Sequence, residues 1–144
     1  MDQIDARIVA ELVRDARIPL TELARRVNLS KTPCAARLKR LQDSGVIVGF
    51  TARVDAAKLG LSHIAFVQVS LADTRAAALD AFNAAVLSVS EIEECHMIAG
   101  AFDYLLKVRC RDITSYRRIL AETISALPNV SHTSTFVAME AVKE

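Results

Sequence analysis

Tryptophan is absent from these 144 residues, glycine occurs four times, proline and cysteine three times each, and aromatic residues make up only 5%. Each shortage excludes something. Four glycines, none in a G-x-G-x-x-G spacing, leave no phosphate-cradling loop. Cys34, Cys95 and Cys110 are odd in number and far apart, which fits neither a disulfide framework nor a zinc pattern. Buried free thiols in a reducing compartment are expected instead, and no metal or cofactor. No run of 18 apolar residues is present, so no membrane span is expected. The opening MDQIDARIVAEL carries acids at once and is amphipathic, unlike a signal peptide. The expectation is a cytoplasmic protein of one domain or two small ones, rich in aliphatic residues.

Acid is also missing from one stretch. Between Arg25 and Arg40 lie Arg25, Arg26, Lys31, Arg37, Lys39 and Arg40, with no Asp or Glu among them. Leu20, Leu23, Ala24 and Val27 recur at helical spacing. Asn28 suits the left-handed stop of that helix. Ser30 suits the N-cap of the next, and Pro33 falls in its first turn, where no intrahelical N–H is lost. Cys34, Leu38 and Leu41 then share one face, Thr32, Ala36, Lys39, Arg40 and Asp43 point away from it with Arg37 on the flank, and Gly45 ends the helix. Two short helices joined by a tight turn, with a basic outer face, read as a helix-turn-helix that holds its second helix in the DNA major groove.

The expected roles divide by chemistry. Ser30, Thr32, Pro33, Ala36, Arg37 and Arg40 enter or flank the groove; Arg25, Lys31 and Lys39 contact phosphate. The net charge of +1 hides an asymmetry. Residues 1–50 hold nine basic and six acidic residues, residues 51–144 nine and eleven. Such a modest basic excess implies modest DNA affinity per protomer, hence dimerisation or further assembly.

Asp2 to Arg14 supplies a preceding helix with Ile4, Ile8 and Leu12 on one face. Val46 to Val54 is β-prone and reads as a short strand or wing. Residues 1–50 are thus expected to form a DNA-binding domain, 51–62 a connector, and 63–144 a second domain. In that second part strands are expected at Ile64–Leu71, Ile92–Ala99, Tyr104–Cys110 and Ser131–Met139, and helices at Arg75–Ser88 and from Asp112 to Leu127. The order is β-α-β-β-α-β, a ferredoxin-like unit in an α+β chain. One sheet face would be left uncovered and apolar, so dimerisation through the sheet is expected.

Candidate chemistry is sparse. Cys95 and His96 are adjacent on a strand and point to opposite faces, so they cannot form a dyad. Glu91, Glu93 and Glu94 read as a solvated edge, and His63 and His132 as surface or connector residues. The turn Gly100-Ala101-Phe102-Asp103-Tyr104 is the one small-molecule candidate. Its glycine lets a ligand approach, its carboxylate suits an α-ammonium group, and free backbone N–H groups suit an α-carboxylate. An ordinary hairpin turn satisfied by Asp103 is the plainer alternative.

The stretches IDARIVAELVRDARIPLTELARRVNLSKTPCAARLKRLQDSGVIVGFTA and EIEECHMIAGAFDYLLKVRCRDITSYRRILAETISALPNVSHTSTFVAMEAVKE, the latter with the turn-and-strand GAFDYLLKV, resemble the Lrp/AsnC, or feast/famine, family of bacterial and archaeal regulators. The resemblance covers essentially the whole chain. It implies a winged helix-turn-helix domain, a ferredoxin-like (RAM-type) effector domain, and dimers assembling into octamers or related rings on double-stranded DNA. Carried over by position, it implies an amino-acid effector site at Met97, Gly100, Ala101, Asp103 and Tyr104. Phe136, Val137 and Ala138 would join it from the same or a neighbouring subunit. It implies a nucleoid-associated transcriptional regulator of amino-acid metabolism with no catalytic activity, responsive to leucine, proline or another amino acid.

Overall fold

Asp2 and Asp5 start the first helix by capping each other. The Asp5 N–H donates to the Asp2 carboxylate at 2.9 Å and the Asp2 N–H to the Asp5 carboxylate at 3.1 Å, the reciprocal arrangement of a capping box. Helix α1 then runs Gln3–Arg14. The computed structural model describes residues 1–144 as two compact units, 1–54 and 55–144.

In the first unit, α2 (Leu20–Arg26) and α3 (Lys31–Asp43) follow α1. Asn28 takes φ 57 between them, so the turn uses a left-handed residue. Ser30 occupies the N-cap position of α3, but its side chain makes no capping hydrogen bond. Ile8, Leu23, Ala24, Val27, Cys34 and Leu41 close the core of this unit. Gly45, at φ 74, ends α3. The strand or wing expected over Val46–Val54 does not form. Ile47 returns its N–H to the Leu41 carbonyl, after which the chain is irregular and Val48 is 95% exposed. A lone β-prone segment has no ladder to join, because strands exist only by pairing.

The second unit contains β1 (His63–Leu71), α4 (Ala76–Val86), β2 (Ile92–Met97), β3 (Tyr104–Cys110), α5 (Ile113–Ile119) and β4 (Val130–Val137). The sheet order is β2-β3-β1-β4, with every pair antiparallel. This is the ferredoxin-like βαββαβ arrangement. The Asp112 carboxylate caps α5 by accepting from the Ser115 N–H at 2.7 Å. Helix α5 runs on into one π turn, Leu120–Ile124, and Asn129, at φ 62, leads into β4. Ala65, Val67, Val69, Leu106 and Val108 on the sheet share a core with Phe82, Tyr116 and Ile124 on the helices. All three thiols are free; Cys34 and Cys110 are buried and Cys95 half-buried. Burial pushes each of them up in pKa.

The helix-free face of the sheet corrects a second expectation. It carries Phe66, Leu105 and Phe136, but also a charged lattice. Arg109 pairs with Glu93 at 2.5 Å and with Glu144 at 2.6 Å, and Lys107 reaches Glu93, Glu94 and Glu144. Glu91, Glu93 and Glu94 are exposed at the edge strand, as expected of a solvated edge, and Glu93 and Glu94 also serve as ion-pair partners. The tail lies along this face: the Ala138 N–H donates to the Ile64 carbonyl, and residues 140–144 border a cavity with Ile64, Phe66 and Lys107.

Candidate DNA interface and effector turn

The outer face of α3 is set by what its inner face buries. Cys34 and Leu41 are buried and Leu38 half-buried. Thr32, Ala36 and Lys39 are consequently exposed, together with Pro33 in the first turn and Ser30 and Lys31 ahead of it. Small side chains at Thr32 and Ala36 let a helix backbone approach base edges. Lys31 makes no ion pair within the chain.

The remaining cations are occupied. Arg25 and Arg26 both grip Glu22, at 2.7 and 2.8 Å, and Arg26 also reaches Glu11. Hydrogen bonds from Arg25 and Arg26 hold the Glu22 carboxyl down at about 2. Lys39 pairs with Asp43 one turn on. Arg37 and Arg40 turn back toward α1. The Arg37 guanidinium meets Asp2 at 2.6 Å and Asp5 at 2.9 Å, and Arg40 meets both Asp5 oxygens at 2.9 and 2.8 Å. The Asp5 N–H, with the Arg37 guanidinium beside it, holds the Asp2 carboxyl at about 2. Asp5 is lowered too, chiefly by the Asp2 N–H and then by the two arginines. Asp5 is only 2% exposed. The sequence shows the excess of cations on α3 but not these pairs, since their partners stand 32 to 35 residues away.

The turn between β2 and β3 is pinned to the end of β1. The Asp103 N–H donates to the Val69 carbonyl, the Ile98 N–H to the Asp103 carbonyl, and the Leu71 N–H to Asp103 Oδ2 at 2.7 Å. Asp103 thus satisfies the turn with one carboxylate oxygen. Met97 is exposed beside it. A Cβ placed on Gly100 would meet only Ile98 Cγ2, at 3.5 Å, an ordinary contact. The fold therefore does not itself demand a glycine there. Tyr104 differs from the sequence expectation. Its ring is 1% exposed, stacks obliquely on Phe82, and gives its hydroxyl proton to Asn83 at 2.8 Å. Only its backbone faces the turn.

Phe136, Val137 and Ala138 are accessible but remote from the turn within one chain. Val69 pairs with both Tyr104 and Thr133, whereas Phe136 pairs with Phe66. That is three residues further along the sheet, about 10 Å at strand rise. A single chain does not bring the two halves of the expected effector site together. Cys95 and His96 do face opposite ways, paired with Leu106 on the core side and Leu105 on the open side. His63 Nε2 is buried without a hydrogen-bond partner and its ring lies 6.0 Å from that of Tyr116, so this histidine is not a plain connector residue.

Known proteins match both units. Residues 1–42 fit the sequence model of the AsnC-type helix-turn-helix domain and residues 64–144 that of the Lrp/AsnC ligand binding domain. A proline dehydrogenase transcriptional activator from Rhizobium radiobacter is 58% identical over 144 residues, spanning all of this chain and 92% of its own. The leucine-responsive regulatory protein of Escherichia coli K12 is 44% identical, over all of this chain and 88% of its own. Among solved structures, an AsnC family transcriptional regulator from Agrobacterium tumefaciens superposes with a TM-score of 0.93 at 30% identity, covering 100% and 94% of the two chains. A Neisseria meningitidis transcriptional regulator solved as its L-Met complex gives 0.91 at 28% identity, covering 100% and 93%.

Proposed function

The chain belongs to the Lrp/AsnC family of transcriptional regulators, and from that premise we propose that it is a cytoplasmic, nucleoid-associated regulator of amino-acid metabolism that lays α3 in the major groove of operator DNA. The observation that carries this reading is the outer face of α3, where small side chains at Thr32 and Ala36 are flanked by Lys31 and Lys39. Ser30, Thr32, Pro33 and Ala36 meet base edges or the groove wall. Arg25, Lys31 and Lys39 neutralise phosphates; Arg25 and Lys39 exchange surface ion pairs of little net worth to do so, and Lys31 has none to give up. No catalytic role is assigned to any residue.

The effector in this reading is a small amino acid. The relatives point to proline or leucine, and the Neisseria neighbour holds methionine. The site is the Met97–Tyr104 turn, where Asp103 Oδ1 takes the α-ammonium and the turn's backbone N–H groups take the α-carboxylate. Phe136, Val137 and Ala138 complete it from a neighbouring subunit, which fits their distance from the turn within one chain. The assembly is a homodimer that builds an octamer or related ring, with the effector at the dimer–dimer interface. An amino acid that favours one assembly state shifts DNA binding by its differential affinity alone, about 1–3 kcal/mol.

A thermal-shift screen of the purified protein against the twenty amino acids tests the sensor. A rise in melting temperature with proline, leucine or a similar aliphatic amino acid supports it by mass action; no rise with any of them rejects it. Selection from a randomised duplex pool tests the DNA reading. Enrichment of one sequence supports a specific regulator, and an unenriched pool that still binds replaces it with an architectural role.

A further inference from the structure

Arg37 and Arg40 lie on the DNA-facing helix, yet their guanidinium groups are turned to the start of α1 (above). Asp5 is the centre of that arrangement. It is almost fully buried, accepts the Asp2 N–H, and receives Arg37 on one oxygen and Arg40 on both. Its two arginines differ. The Arg37 side chain is 26% exposed and shares itself between Asp2 and Asp5. The Arg40 side chain is 60% exposed, holds no other carboxylate, and sits on the rim of α3's outer face.

We infer that Asp5 is a positioning residue for DNA recognition: it withholds the Arg40 guanidinium from the phosphate backbone and so fixes which cations of α3 meet DNA. The inference rests on α3 being the DNA-facing helix. A buried carboxylate with its cations already in contact is costly to strip of them. Phosphate must compete with it for Arg40, whereas Lys31 has no such competitor and Lys39 has only the exposed Asp43. Withholding a cation lowers the sequence-independent part of binding, which comes from phosphate neutralisation. It leaves base readout to Thr32 and Ala36, which carry the sequence-dependent part.

The test is the salt dependence of binding to a mixed-sequence duplex, measured by fluorescence anisotropy on the full chain. Each phosphate newly neutralised steepens the log–log slope by about 0.9. Asp5→Asn keeps the shape of the side chain and removes its charge. The expected result is a steeper slope, by about one phosphate per bound protomer, and a higher affinity at low salt. In Asp5→Asn/Arg40→Gln that increment disappears, as expected for residues acting as a pair. A merely structural role would lower the melting temperature and leave the slope unchanged in the folded protein. An unchanged slope in Asp5→Asn, or an increment that survives in the double variant, overturns the inference. Should Asp5→Asn fail to fold, Arg40→Gln alone decides. Its slope equals that of the wild type if Arg40 is withheld, and is shallower by about one phosphate per protomer if Arg40 already binds DNA. A wild-type chain with no salt-dependent DNA binding at all would instead remove the DNA reading itself.

Discussion

Asp2, Asp5 and Glu22 hold ion pairs that only their ionised forms can make, and the consequence is a defined acid response. A carboxyl whose folded pKa lies below its unfolded value favours the folded state above the unfolded pKa. That contribution is lost as pH falls through the folded one. For Asp2 the interval runs from 3.8 down to about 2, and for Glu22 from 4.5 down to about 2. The first unit is therefore expected to keep its helical signal on acidification to about pH 4.5 and to lose stability progressively between about 4 and 2. Circular dichroism melts across that range check this, and Asp5→Asn should start from a lower melting temperature and show a shallower dependence. Tyr104 makes a second prediction at this scale. Tyr104→Phe removes one buried hydrogen bond to Asn83 and should cost about 1 kcal/mol in chemical denaturation without affecting an amino-acid response at the turn. A lost response would mean that the phenol takes part in the site.

Among elements, the turns separate structural from functional glycine and asparagine. Asn28 is left-handed between α2 and α3, so Asn28→Val should destabilise by about 1–2 kcal/mol, while Asn28→Gly should change stability far less. Gly100 has room for a methyl group. Gly100→Ala should leave the melting temperature nearly unchanged and weaken the amino-acid thermal shift; an undiminished shift would take the glycine out of the effector site. Much at this scale was legible from the sequence. The 3.6-residue spacing marked α1, α2 and α3, and alternation marked β1, because local pattern dictates which face is buried. The wing was not, since β-propensity at Val46–Val54 says nothing about a missing partner strand. Nor was the π turn in the long helix after Asp112, where the apolar stripe reads as one continuous helix. Arg37 and Arg40 illustrate the limit for the candidate site. Composition revealed their charge, but only the fold brings Asp5 to them across more than thirty residues. Tyr104 shows the same limit, because its place in the turn motif does not say that its ring faces α4.

For the whole molecule, the proposed function needs assembly, and the open face of the sheet is where assembly can be probed. Phe66 and Phe136 lie opposite one another on neighbouring strands of that face, and Phe136 is 55% exposed. Phe136→Glu should lower the assembled mass in light scattering, with the sheet intact by circular dichroism. A variant that keeps the wild-type mass would take this face out of the contacts between copies.

The shielding of the three thiols has a practical consequence. With Cys34 and Cys110 buried and Cys95 half-buried, each raised in pKa by desolvation, little thiolate is present near neutral pH. A cysteine introduced at an exposed position such as Leu87, just past the C-terminal end of α4, would react first with a maleimide dye. The wild-type chain thus provides its own low-background scaffold for attaching a fluorescent reporter, and association between copies could be followed without first removing a native thiol.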